Sequence, residues 1–128
     1  MIVKDCMLPL ANFPVVSPKT IVKEVLVEMG IKKIGFVCIV DNEQKFKGVF
    51  SDGDIRRLLL KNQKPFSSFF IDDVIDYANI KPITINPELE LSDAINIMGK
   101  KGIWDLPVVK NDELLGLLHL HHAISKLI

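Results

Sequence analysis

PVVSPKTIVKEVLVEMGIKKIGFVCIVDNEQKFKGVFSDGDIRRLLL, residues 14–60, and PITINPELELSDAINIMGKKGIWDLPVVKNDELLGLLHLHHAISKLI, residues 82–128, carry one pattern of prolines, glycines and apolar runs. Pro18 matches Pro87, Met29 matches Met98, Gly30 matches Gly99 and Ile34 matches Ile103, each at a spacing of 69 residues. One deletion in the second copy then aligns Gly48 with Gly116 at a spacing of 68. A unit this small buries its apolar face poorly alone, so the duplication predicts two similar halves packed about a pseudo-twofold axis. Equivalent clefts would face each other across that axis, and function is to be sought in what they hold.

Within each copy the periodicities change in the same order. A short extended piece, Val15 to Ser17 or Ile83 to Ile85, runs into Ser-Pro or Asn-Pro, where proline biases the preceding residue toward extended geometry. Ile21, Val22, Val25, Leu26 and Met29, and in the second copy Leu91, Ala94, Ile95 and Met98, then fall at helical spacing. These helices are expected to stop near the glycines that follow, in the second copy at a Gly-Lys-Lys-Gly turn. Two strands come next, Phe36 to Val40 and Lys47 to Phe50, or Leu106 to Val109 and Leu114 to Leu118. A second helix closes each copy. The fold class expected is α/β (α+β), strand-helix-strand-strand-helix twice: one repeat over 1–62, a linker over 63–70 in the Lys-, Pro- and Ser-bearing KNQKPFSSFF, and the other over 71–128.

Composition narrows the function classes. With 128 residues, 48% hydrophobic and 25% charged, the chain can build a real core. Sixteen basic and sixteen acidic side chains cancel, which leaves no long-range field to hold nucleic acid or an anionic membrane surface. No apolar run approaches the ~18 residues of a membrane span, and the start of the chain lacks the segments of a signal peptide. Only Cys6 and Cys38 are present, the latter inside the apolar IGFVCIV, so a reducing, cytoplasmic setting is expected.

The order of elements, the Pro-Val-Val-Ser-Pro lead-in, the Leu-Pro-Val-Val strand and the Gly-Val-Phe-Ser-Asp-Gly-Asp turn together resemble a pair of cystathionine β-synthase (CBS) repeats, the regulatory unit called a Bateman module. FPVVSP, KKIGFVCIVD, GVFSDGDIRRLLL, DLPVV and GLLHLHHAISKLI are more particularly similar to the C-terminal CBS pair of arabinose 5-phosphate isomerases. There a sugar isomerase (SIS) domain, which this sequence does not contain, supplies the catalysis. The Asp-Gly-Asp-Ile-Arg-Arg run is also similar to CBS pairs attached to sugar-phosphate nucleotidyltransferases.

The strongest chemical signal is the turn from Gly48 to Arg57. A helix starting where a strand ends offers unpaired backbone N–H groups to a phosphate, and an ionised Asp54 could accept both hydroxyls of a ribose. The resemblance implies the same: the Ser and Asp of this turn contact the phosphate and ribose of an adenine nucleotide, which carries over to Ser51 and Asp54. It further implies a cleft that completes these two and Val49 with Ile83, Trp104 and Asp105 of the other repeat, the apolar members flanking a base. Asp105, placed where some relatives hold a basic group, favours AMP or a nucleotide sugar over ATP or another polyphosphate. The plain alternative is that Ser51 or Asp52 caps the helix and the acids favour its dipole. Arg56 and Arg57 are the only arginines among sixteen basic residues, and their planar forks suit phosphate or an interface ion pair.

In the second copy His119 and His122 stand at the Ser and Asp positions, so two equal nucleotide sites are not expected. His119, His121 and His122 point different ways at a strand-to-helix junction, which argues against a metal site. No nucleophile with an adjacent base can be assembled, and in Ser51-Asp52-Gly53-Asp54 the glycine lies between the acids, unlike the Asp-x-Asp-Gly of phosphatases. The expected role is therefore non-catalytic: a nucleotide-sensing module, or a structural pair that only mediates assembly. Leu58, Leu59, Leu60, Leu127 and Ile128 exceed what one inward face needs, and a homodimer through the closing helices is expected.

Overall fold

The computed structural model describes residues 1–61 and 65–128. It is a mixed α/β chain whose contacts divide it into two compact units, Phe13–Pro82 and, discontinuously, Met1–Asn12 with Ile83–Ile128. In the first unit β1 (Val15–Val16) pairs parallel with β2 (Phe36–Val40), which pairs antiparallel with β3 (Phe46–Ser51). Helices α1 (Val22–Lys32) and α2 (Asp52–Lys61) follow β1 and β3. In the second unit β4 (Asp105–Lys110) and β5 (Glu113–His119) form the hairpin, between α3 (Leu91–Lys101) and α4 (Leu120–Leu127). The lead-in strand expected at Ile83 to Ile85 is reduced to one parallel bridge, Ile85 with Val108.

Each helix buries the stripe its spacing assigns. Val22, Val25 and Met29 of α1 are buried, and Val25 and Met29 pack with Val37, Ile39 and Phe50. Leu91, Ala94 and Met98 of α3 pack with Leu106, Val108 and Leu118. Helix α3 stops at the second glycine of the expected Gly-Lys-Lys-Gly turn, whereas no glycine ends α1. Gly30 and Gly99 lie inside them, and the stop is a left-handed residue further on, Lys33 at φ 59° and Gly102 at φ 65°, whose N–H bonds the carbonyl of Met29 or Met98.

The compact units cut the chain differently from the duplication, because each borrows the segment preceding the other repeat. In the first unit Val22 N–H donates to Asp72 O at 3.0 Å and Val74 N–H to Thr20 O at 2.9 Å, and Val49 and Asn79 exchange two bonds at 2.9 Å. The second unit repeats the ladder: Leu91 N–H to Met1 O at 2.9 Å, Val3 N–H to Leu89 O at 2.8 Å, and Leu8 with Leu117 at 2.8 and 3.1 Å. Val74 on one side, and Val3 and Cys6 on the other, are fully buried by this docking. The aligned glycines make it possible. A Cβ on Gly48 would lie 2.7 Å from Asn79 O, and one on Gly116 would lie 2.7 Å from Leu8 O.

Of the stretch expected as linker, residues 63 and 64 lie outside the described residues, while Phe66–Phe69 form a 3-10 turn. Phe69 is buried and meets the Tyr77 ring edge-on at 5.6 Å. The Pro and Ser residues here mark a turn, but its phenylalanines belong to the unit Phe13–Pro82. Among the closing-helix residues, Leu58 is partly buried and Leu59, Leu60, Leu127 and Ile128 are exposed. Among the described residues no helix is long and apolar enough to cross a membrane.

Candidate functional site

The β3–α2 junction brings Ser51 and Asp54 to one point. Ser51 ends the strand, and its backbone N–H donates to Asp54 Oδ2 at 2.9 Å, with its hydroxyl on the same oxygen at 3.2 Å. The acid in the third helical position thus reaches back over the start of the helix, which is half of a capping box. Capping falls to Asp54, neither to Ser51 nor to Asp52. Asp54 Oδ1 accepts Arg57 Nη2–H at 2.8 Å, so both carboxylate oxygens have partners within the chain. Asp52 N–H donates to Gly35 O at 3.0 Å, and a Cβ on Gly35 would force the exposed Asp52 carboxylate to turn aside.

Val49, two residues before Ser51, is buried, and both its backbone groups are held by Asn79. Beside the turn, Asp54, Arg57, Leu58 and Lys61 of α2 and Tyr77 line a cleft of about 180 Å³. Tyr77 donates its hydroxyl to the Asp72 carboxylate. Neither Lys61 nor Tyr77 carries a motif, and only the helical spacing of Asp54, Arg57, Leu58 and Lys61 could have joined these residues in advance.

Ile83, Trp104 and Asp105 belong to the other unit. Ile83 is exposed, and Trp104 is 68% exposed, which removes it from the core. Its carbonyl accepts Leu120 N–H at 2.9 Å, the counterpart of the Gly35–Asp52 bond. Asp105 opens β4 opposite His119 at the end of β5, and their side chains meet, Nδ1 to Oδ1, at 2.7 Å. Burial lifts the Asp105 carboxyl above its ordinary range, and the bond and charge of His119 oppose that lift. His122 is pushed below the usual histidine range, first by burial, then by Lys126 and His119. The Asp105–His119 pair sits at the open end of a hairpin, where counting from the turn would set Asp105 opposite Leu118; the register shift between Val108 and Val109 brings His119 there instead. Among the described residues no three His, Cys, Asp or Glu side chains are grouped to hold a metal ion.

Comparison with known proteins gives this architecture relatives. The model of the CBS domain family matches residues 3–61 and 73–128. The chain is 33% identical over 127 residues to the arabinose 5-phosphate isomerase KdsD of Yersinia pestis, covering 95% of this chain and 36% of that protein. Against KdsD of Escherichia coli the identity is 29% over 122 residues, covering 95% of this chain and 36% of that protein. The chain therefore spans about a third of the length of these curated relatives. Among solved structures, that of CBSX2 in complex with AMP superposes with a TM-score of 0.85 at 28% identity, covering 98% of this chain and 95% of that one.

Proposed function

Because the chain belongs to the CBS domain family, as a tandem pair, we propose that it is a non-catalytic regulatory module. In this reading it binds an adenine nucleotide or a nucleotide sugar and acts, in the cytoplasm, with a sugar-phosphate isomerase of the arabinose 5-phosphate isomerase type. The observation that carries the proposal is the β3–α2 junction, where a hydroxyl and an acceptor-only carboxylate meet at a helix start beside a cleft. Ser51 and Asp54 are assigned the phosphate and ribose. Val49, Ile83, Trp104 and Asp105 keep the base-side and phosphate-side roles that the family resemblance implies for them. Support comes from the similarity to the KdsD isomerases and to a structure that holds AMP. The exposed Leu59, Leu60, Leu127 and Ile128 support a homodimer, which a single-chain mass in light scattering at tens of micromolar would remove.

The test is calorimetric titration with AMP, ATP, CMP and a sugar nucleotide. Asp54→Ala is expected to weaken binding by about 2–4 kcal/mol, through lost charge-assisted hydrogen bonds, while His122→Ala, at the matching position, costs little. Because Asp54 also holds the Ser51 N–H, the same change is expected to lower stability by about 1 kcal/mol, leaving a folded protein. Equal losses at the two positions would move the ligand elsewhere. One observation favours a second reading, a structural module without ligand: both Asp54 oxygens are already partnered inside the chain. Absence of any nucleotide binding by the unmodified protein would decide for it.

A further inference from the structure

The second unit carries a cleft at the turn end of the β4–β5 hairpin, away from Asp105 and His119 at its open end. Its volume of about 300 Å³ only reaches the size, roughly 300 Å³, at which pockets for small molecules begin, so a short ligand suits it. Met7, Pro87 and Leu115 make an apolar floor: Pro87 is buried, and Met7 and Leu115 are half-buried and pack against the core of this unit. The exposed Lys4, Glu88 and Lys110 make the rim. Each is held in place. Lys4 N–H donates to Pro87 O at 2.9 Å, Glu88 N–H to Asn86 Oδ1 at 2.9 Å, and Lys110 Nζ reaches the two Glu88 oxygens at 3.0 and 3.3 Å. Two ammonium groups against one carboxylate leave one positive charge beside apolar surface. An ammonium has three donors, so Lys110 can keep Glu88 and still donate to a ligand.

The duplication does not account for this pattern. At the matching positions the first unit has Asp41 for Lys110, Lys47 for Leu115 and Lys19 for Glu88, and its Asp41 and Lys47 pair with each other at 3.5 Å. Ile75, in the middle of the corresponding 3-10 piece, stands for Lys4. The first unit thus sets charge where the second sets floor, and an apolar residue where the second sets a cation.

We propose that this cleft binds a monocarboxylate with a short hydrocarbon body, its carboxylate on Lys4 and Lys110 and its body on Met7, Pro87 and Leu115. One carboxylate cancels the one surplus charge of the rim, through charge-assisted hydrogen bonds. The lysine stems extend the apolar wall below their ammonium groups, and Glu88 positions Lys110 over the cleft. The site shares no residue with the nucleotide reading and stands or falls apart from it.

The experiment titrates hexanoate into the unmodified chain and follows the backbone amides by NMR, beside hexanol, hexylammonium and acetate, which lack the charge, reverse it or lack the body. Hexanoate is expected to shift the Met7 and Leu115 amides, and the other three to bind at least about tenfold more weakly. Lys4→Gln and Lys110→Gln, which keep most of each stem, are expected to weaken hexanoate by about fivefold each, and Lys126→Gln on α4 to leave it unchanged. Leu115→Lys, which installs the residue of the first unit, is expected to abolish binding. Circular dichroism checks the folding of each variant, and the two exposed rim lysines decide the outcome even where Leu115→Lys fails to fold. Hexanol binding as tightly as hexanoate, hexanoate binding that ignores both rim lysines, shifts confined to other amides, or no hexanoate binding at all would each overturn the proposal.

Discussion

Asp105 is a residue whose surroundings move its titration away from the ordinary range. Its carboxyl is raised, first by burial, with the hydrogen bond and charge of His119 pulling the other way. A raised acid binds its proton more tightly folded than unfolded. Its contribution is therefore fully present below the unfolded value, ordinarily 3.8, and is lost as pH rises through the higher folded value. Asp105→Asn removes the titration and keeps an oxygen within reach of His119 Nδ1. The melting temperature of the variant minus that of the unmodified protein is expected to climb as pH rises from 3.8, and a difference that stays flat would refute it. The sequence showed Asp105 and His119 as two isolated oddities of the second repeat. Their meeting depends on hairpin register, which composition and motif do not encode. Ser51 and Asp54 were legible as a pair because a strand-to-helix turn of three residues leaves them few places to go. Arg57 closing onto Asp54 was not, since adjacent arginines at positions 56 and 57 look alike until the helix is oriented.

The elements show the same division. Helices α1 and α3 follow from apolar spacing alone, and the hairpins from alternating strands around polar turns. Their stops were harder, because glycine suits a left-handed cap without proving one. Gly30 and Gly99 are helical, and the left-handed position falls on Lys33 in one copy and Gly102 in the other. A Cβ in that conformation costs about 1 kcal/mol, so Lys33→Gly is expected to stabilise its unit by up to that amount, and Gly102→Ala to destabilise the other by as much. Denaturant midpoints would check both signs, and a destabilising Lys33→Gly would show that the lysine side chain contributes more than its backbone costs. The short 3-10 pieces Val3–Asp5 and Val74–Asp76 were not legible at all. Too short for a period, they are held by docking to Pro87 and Leu89 or to Pro18 and Thr20 instead of by their own propensity.

For the whole molecule the duplication was legible, and the exchange of leading segments was not. Those segments carry little of the repeat pattern, and nothing in their spacing says which copy they complete. Removing residues 1–12 takes Val3, Cys6 and Leu8 out of the second core, each buried side chain being worth about 1.5–3 kcal/mol. A chain starting at Phe13 is therefore expected to keep the unit Phe13–Pro82 folded and to lose the other. Amide hydrogen exchange would show protection retained in β2 and β3 and lost in β4 and β5, whereas protection lost or kept in both would break this claim. The same arrangement sets an order in time. On the ribosome, the unit Phe13–Pro82 has all its parts once Pro82 has emerged, and it can fold while synthesis continues. Met1, Val3 and Leu8 are made before that unit and must wait for Leu91, Leu89 and Leu117, which are made after it. During that wait an apolar stretch stands without its partner, so residues made before the unit Phe13–Pro82 find their place only after it, and that interval is when a chaperone would have most to hold.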